Sequence, residues 1–127
     1  MNQKKIVVVT GCSSGLGLEI CKKFIKENFF VYGISNNNKK INNAKKKIYN
    51  ILPYNNNFYF DKVDVSNQDQ IKLFFSKLFR KHSRLDVVIN NAGIYGPIGY
   101  FEKNSIKSWK KAFDINFYLS LYFILLF

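Results

Sequence analysis

Val7-Val8-Val9-Thr10-Gly11-Cys12-Ser13-Ser14-Gly15-Leu16-Gly17 constrains this chain more than any other stretch. An apolar β-branched run leads straight into a glycine-punctuated turn and then an amphipathic segment, which is the order strand, loop, helix. Gly11 can adopt backbone angles closed to other residues, Gly15 lets a phosphate come close to the main chain, and Gly17 lets the helix pack tightly. The free N–H groups and the dipole at a helix N-terminus bind anions. The stretch therefore predicts a phosphate-binding turn near the amino end.

The rest of the chain repeats the alternation of strand and helix. Ile20, Cys21, Phe24 and Ile25 continue from Leu16 at helical spacing, with Lys22, Lys23, Lys26 and Glu27 opposite and Asn28 as the stop. Phe29 to Ile34 reads as a second buried strand, and Ile41, Ala44 and Ile48 as the thin stripe of a short lysine-rich helix. Phe58 to Val65 is the third strand, followed by Ser66 and Asp69 as a capping pair and by Ile71, Phe74, Phe75, Leu78 and Phe79 on a third helix. His82, at the basic end of that helix, reads as a partner of its dipole. Leu85 to Asn90 is the fourth strand, Ile94 to Asn104 a loop, and Ser105 the cap of a last helix through Trp109, Phe113 and Asn116.

Composition narrows the partners. The 127 residues carry 20 Lys+Arg against 8 Asp+Glu, a formal charge of +12, and 47% of them are hydrophobic. That is enough apolar material for a core, and the lysines fall in short groups on polar helix faces rather than with aromatic residues on one surface. Nucleic acid is therefore not an expected partner, and the apolar tail from Phe117 to Phe127 is too short for a membrane span. Cys12 and Cys21 lack C-x-x-C spacing and no signal peptide opens at Met1, so a cytoplasmic setting and no metal site are expected.

The loop reads T-G-x-x-x-G-x-G, and together with Asn90-Asn91-Ala92-Gly93 it resembles the short-chain dehydrogenase/reductase family from about Lys5 to the last residue. The resemblance implies an α/β fold, a Rossmann-like doubly wound parallel sheet of order 3-2-1-4-5-6-7, truncated here after the fourth strand and its following helix. Residues 1–127 would then be the N-terminal part of an NAD(P)-binding domain. The implied cofactor contacts are Thr10, Gly11, Ser13, Ser14, Gly15, Leu16 and Gly17 in the loop, and Asn90, Ala92 and Gly93 beyond the fourth strand. Asp64 would bond the adenine amino group, with Val65 beside the ring. The ribose falls to Ser35 and Asn36, about 20 residues past the glycine loop. No carboxylate stands there and lysines follow closely, which leans the cofactor toward NADP over NAD.

The reaction the family implies is hydride transfer between a nicotinamide and a small-molecule carbonyl or alcohol. A tyrosine moves the proton, with a lysine four residues on, a serine orients the carbonyl, and an asparagine in the helix after N-N-A-G holds a relay water. Asn116 matches that asparagine. None of the 8 tyrosines has a lysine four residues on. The tyrosine, lysine and serine would follow Phe127, so no turnover is expected of these residues alone, and the alternative is a nucleotide- or partner-binding half-fold without catalysis. The family buries the last helix between subunits, a role that Leu119, Leu121, Tyr122, Phe123, Leu125 and Leu126 would suit in a homo-oligomer.

Overall fold

A computed structural model describes residues 3–126. Met1, Asn2 and Phe127, the last residue of the apolar tail, lie outside the described residues. Four strands, β1 (Ile6–Thr10), β2 (Phe30–Ser35), β3 (Phe58–Lys62) and β4 (Val87–Ile89), form one parallel sheet in the order β3-β2-β1-β4. Parallel neighbours need crossovers, supplied by helices α1 (Gly15–Lys26), α2 (Asn38–Ile51) and α3 (Gln68–Lys81). Helix α4 (Ile106–Phe113) follows β4 and its loop, and a single π-helical turn over Asp114–Tyr118 joins it to α5 (Leu119–Leu125).

Strand β1 is central and wholly buried, so its alternation sorts the core into two layers. Ile6 and Val8 face Ile71, Phe74, Phe75 and Leu78 of α3 together with Leu119 and Phe123 of α5. Val7 and Val9 face Leu18, Cys21 and Ile25 of α1 and Ile41, Ala44 and Ile48 of α2. Helices thus cover both faces, which requires the near-continuous apolar strands seen in the sequence.

Several local expectations shift for identifiable reasons. Ser66 does not cap α3, because its hydroxyl donates to Asp64 Oδ1 at 2.7 Å; Asn67 caps instead, its Oδ1 accepting from Asp69 N–H at 3.0 Å and Gln70 N–H at 3.1 Å. Leu16 is 71% exposed in the first turn of α1, and Leu18 takes the buried position. Phe79 is only partly covered at the end of α3, where it stacks on Phe75. Helix α2 is 14 residues long rather than short, started by Asn37, whose side chain accepts from Lys40 N–H. His82 Nε2 lies 2.7 Å from the Tyr32 hydroxyl, and burial followed by the nearby Lys81 charge pushes its pKa down, so it is no cationic dipole partner. In α5, Leu119 and Phe123 are core residues, while Leu121, Ile124 and Leu125, with Phe113 at the end of α4 and Phe117 in the π-helical turn, are exposed.

One ionic joint ties the start of β1 to that of β4. Asp86 Oδ2 accepts from Ile6 N–H at 2.7 Å and from Arg84 Nε at 3.1 Å, and Arg84 Nη2 bonds Oδ1. Arg84 first, and the Ile6 N–H second, hold the Asp86 carboxyl below its ordinary 3.8. A lowered folded-state pKa adds stability above the unfolded value and loses it as pH falls through the folded one. Asp86→Asn is therefore expected to lower stability at about pH 7 and to show a shallower further loss below about pH 4. Thermal unfolding at a series of pH values reads this; a variant as acid-sensitive as the parent chain counts against it.

Candidate functional site

The carboxyl ends of the four strands meet in a cleft of about 280 Å³. It lies where the strand order reverses, with β2 and β4 on opposite sides of β1, which is where open α/β sheets receive ligands. Gly11, Ser13 and Ser14 line it from the loop after β1, and Ile34, Ser35, Asn36 and Lys40 from β2 and the start of α2. Val63, Asp64 and Val65 follow β3, Asn91, Ala92, Gly93 and Ile94 follow β4, and Ile115 reaches it from the π-helical turn.

The loop geometry is specific at each glycine. Gly11 has φ +69°, in the left-handed region, and Gly15 has φ +54° with no atom within 4 Å of where a Cβ would stand. A Cβ on Gly17 would lie 2.1 Å from Gly11 O and 2.5 Å from Asn91 Nδ2, so the helix start is pressed against the loop itself. Ser14 occupies the N-cap position of α1 without a side-chain capping bond, and the Leu16 and Gly17 N–H groups find no acceptor among the described residues. Unmet donors beside open space fit an anionic group.

A second set of bonds joins the two sequence motifs. Thr10 does not line the cleft: it is fully buried behind it, and its Oγ1 accepts from Asn91 N–H at 3.0 Å and Ala92 N–H at 2.8 Å. Asn91 Nδ2 donates back to Thr10 O at 3.0 Å and Gly11 O at 3.3 Å. Ser13 and Ser35 hydroxyls, both buried, pair at 2.8 Å and tie the loop to the end of β2. Asp64 Oδ1 accepts from Ser66 N–H and from its hydroxyl, and the hydroxyl first, then the N–H, lowers the Asp64 pKa. Its carboxylate is charged at neutral pH and bordered by the cleft.

Of the residues singled out in the sequence, Gly11, Ser13, Ser14, Ser35, Asn36, Asp64, Val65, Ala92 and Gly93 come together in the cleft lining. Gly15, Leu16 and Gly17 continue the loop into α1, while Asn90 is exposed and outside the lining. Asn116 lies in the π-helical turn with both side-chain groups spent on Ile94: Oδ1 accepts its N–H and Nδ2 donates to its O, each at 2.8 Å. Lys40, one of the lysines that follow the ribose position in the sequence, also lines the cleft, as do Asn91 and Ile115, which sequence reasoning did not single out. Asn91 stood inside a motif already noted, and Ile115 gave no signal because only tertiary folding brings it there.

Cysteine chemistry is absent from this cleft. Cys12 and Cys21 are free and buried, and burial pushes the Cys12 thiol up to about 12, leaving it un-ionised at neutral pH. No metal-ligand cluster and no helix long and apolar enough to cross a membrane occur among the described residues.

A parallel sheet ordered 3-2-1-4, with helices on both faces and a glycine loop opening at the switch point, defines a Rossmann-like α/β protein. A family model described as short chain dehydrogenase matches residues 5–123, and the chain belongs to that family. It is 26% identical to a Saccharomyces cerevisiae benzil reductase ((S)-benzoin forming), with 90% of this chain matched to 44% of that protein. It is 33% identical to an NADPH-dependent 3-dehydrocapnine reductase of Ornithobacterium rhinotracheale, covering 93% of this chain and 40% of the relative. A short chain dehydrogenase structure from Bacillus anthracis superposes with a TM-score of 0.82 at 29% identity, over 93% of this chain and 47% of that one. The chain thus spans less than half the length of these relatives.

Proposed function

We propose that this chain is the cofactor-binding part of an NADP(H)-dependent oxidoreductase that interconverts a small carbonyl compound and its alcohol. The observation that carries the reading is the open phosphate loop at the switch point, with unmet N–H donors at the start of α1 and open space over Gly15. In this reading the pyrophosphate lies on that helix start, Asp64 accepts from the adenine amino group, and Val65 and Ile115 border the ring. Gly93 and Ala92 admit the flat nicotinamide-ribose half, and Asn116 acts as a positioning residue by clamping Ile94. The bound nicotinamide would supply the hydride; a tyrosine, lysine and serine for proton transfer and carbonyl orientation do not stand at family spacing within the 127 residues. Binding without turnover is the expected behaviour of these residues alone.

The lean toward NADP(H) rests on the lysines after β2, of which Lys40 borders the cleft. Ser35, Asn36 and Lys40 line the end of the cleft beside β2, and Asp64, which follows the neighbouring strand β3, is the one carboxylate among the lining residues. A carboxylate after β2 would accept the ribose hydroxyls and repel a 2′-phosphate, whereas an ammonium group attracts it. The NADPH dependence in the name of the Ornithobacterium relative supports the same preference. A charge-assisted contact of about 1.5 kcal/mol corresponds to about a tenfold change in affinity. Lys40→Met is expected to weaken NADPH binding by about that factor and to leave NADH unchanged. Fluorescence titration of both cofactors reads this. Failure of both to bind at millimolar levels sinks the cofactor reading, while an equal loss for both cofactors removes Lys40 from the preference.

Two further elements complete the reading. The exposed residues Phe113, Phe117, Leu121, Ile124 and Leu125 suit contact with a second copy of the chain, in place of the core residues Leu119 and Phe123. Two free, buried cysteines suit a cytoplasmic protein.

A further inference from the structure

We propose that the groove between the start of α3 and the long α4–α5 helix is a second ligand site, shaped for an amphiphilic anion of the medium-chain carboxylate type. It encloses about 590 Å³, well within the size of small-molecule pockets. It borders the cofactor cleft through Val65 and Ile115, which line both, but does not depend on what that cleft binds.

Charge and apolar surface are segregated along it. Lys107, Lys110 and Lys111 stand on its α4 wall against one lining carboxylate, Asp114. None of these lysines is held in an ion pair among the described residues, and all three are exposed. Farther along the groove the lining turns apolar, with Ile71 of α3 and Ile115 and Leu119 of the facing helix all buried. Tyr122 lines the same stretch, and its hydroxyl is buried with no hydrogen-bond partner among the described residues.

Each feature restricts the occupant. Unpaired ammonium groups favour an anionic head, and the Ile71, Ile115 and Leu119 side chains along the lining favour an apolar body. A bare hydrated anion would leave the apolar floor wet, and an uncharged chain would leave the lysines unused. A carboxylate with an alkyl body satisfies both ends of the groove.

The test is a titration of the isotope-labelled full chain with sodium decanoate, and separately with decanol as the uncharged counterpart, followed by amide chemical shifts. Shifts are expected to concentrate on Ser66, Gln68 and the helix from Lys107 to Leu119, with decanoate binding about fivefold tighter than decanol. The double variant Lys107→Met with Lys110→Met, which changes only exposed side chains, should lose that advantage while still folding. Shifts that are absent or spread over the whole chain at millimolar decanoate overturn the proposal. So does equal affinity for the two compounds, or an unaltered double variant.

Discussion

Gly17→Ala is expected to cost about 3 kcal/mol of stability, the upper end for forcing one added carbon into a packed site, and about 10 °C in unfolding temperature. The added Cβ would stand 2.1 Å from Gly11 O and 2.9 Å from Gly11 C, both backbone atoms, as well as 2.5 Å from Asn91 Nδ2. A flexible side chain could swing away, but here the first turn of α1 must lift off the loop. That movement also displaces the N–H groups proposed to bind the pyrophosphate, so NADPH affinity should fall together with stability. Gly15→Ala is the control: its Cβ meets nothing within 4 Å, and only the left-handed φ of +54° penalises it, by about 1–2 kcal/mol. Calorimetric or denaturant unfolding of both variants separates the two mechanisms. Equal losses would mean that α1 and the loop relax around the added Cβ, so that the close contact at Gly17 costs no more than the left-handed φ at Gly15.

Thr10→Val should remove about 3 kcal/mol, by leaving the Asn91 and Ala92 N–H groups without their acceptor in a part-buried setting. Valine preserves the shape and the burial, so the loss isolates the two hydrogen bonds. Thr10→Ser keeps the hydroxyl and should lose much less, the remaining cost being one buried methyl group of about 1 kcal/mol. The consequence reaches the cleft, because those bonds hold the chain after β4 against the glycine loop. NADPH affinity is therefore expected to follow hydroxyl retention, falling in the valine variant and largely surviving in serine. A valine variant as stable as the parent chain would mean that water replaces the hydroxyl.

Much of the fold was legible because its signals are local. Ile41, Ala44 and Ile48 have helical spacing and form the buried stripe of α2; the unbroken run Val7 to Val9 is a strand covered on both faces. Where local reading slipped, a competing partner was the reason. Ser66 looks like a cap until Asp64 takes its hydroxyl, and the last helix reads as one α-helix although a π-helical turn interrupts it at Asn116. Leu119 and Phe123 look identical to their exposed neighbours in an apolar run, and only packing on Val8 and Phe75 distinguishes them.

For the site, the division follows chain distance. The sequence alone determined that a strand, a glycine turn and a helix follow one another near the amino end, since backbone freedom at Gly11 and the period of the flanking residues are properties of a few neighbours. The tertiary structure alone decided that Thr10 and Asn91, 81 residues apart, lock the two motifs together, and that Ile115 reaches the same cleft. Those contacts exist only once β4 pairs in register with β1, with Val9 opposite Ile89. That pairing depends on burying both faces of the sheet, a requirement of the whole chain that no short stretch encodes.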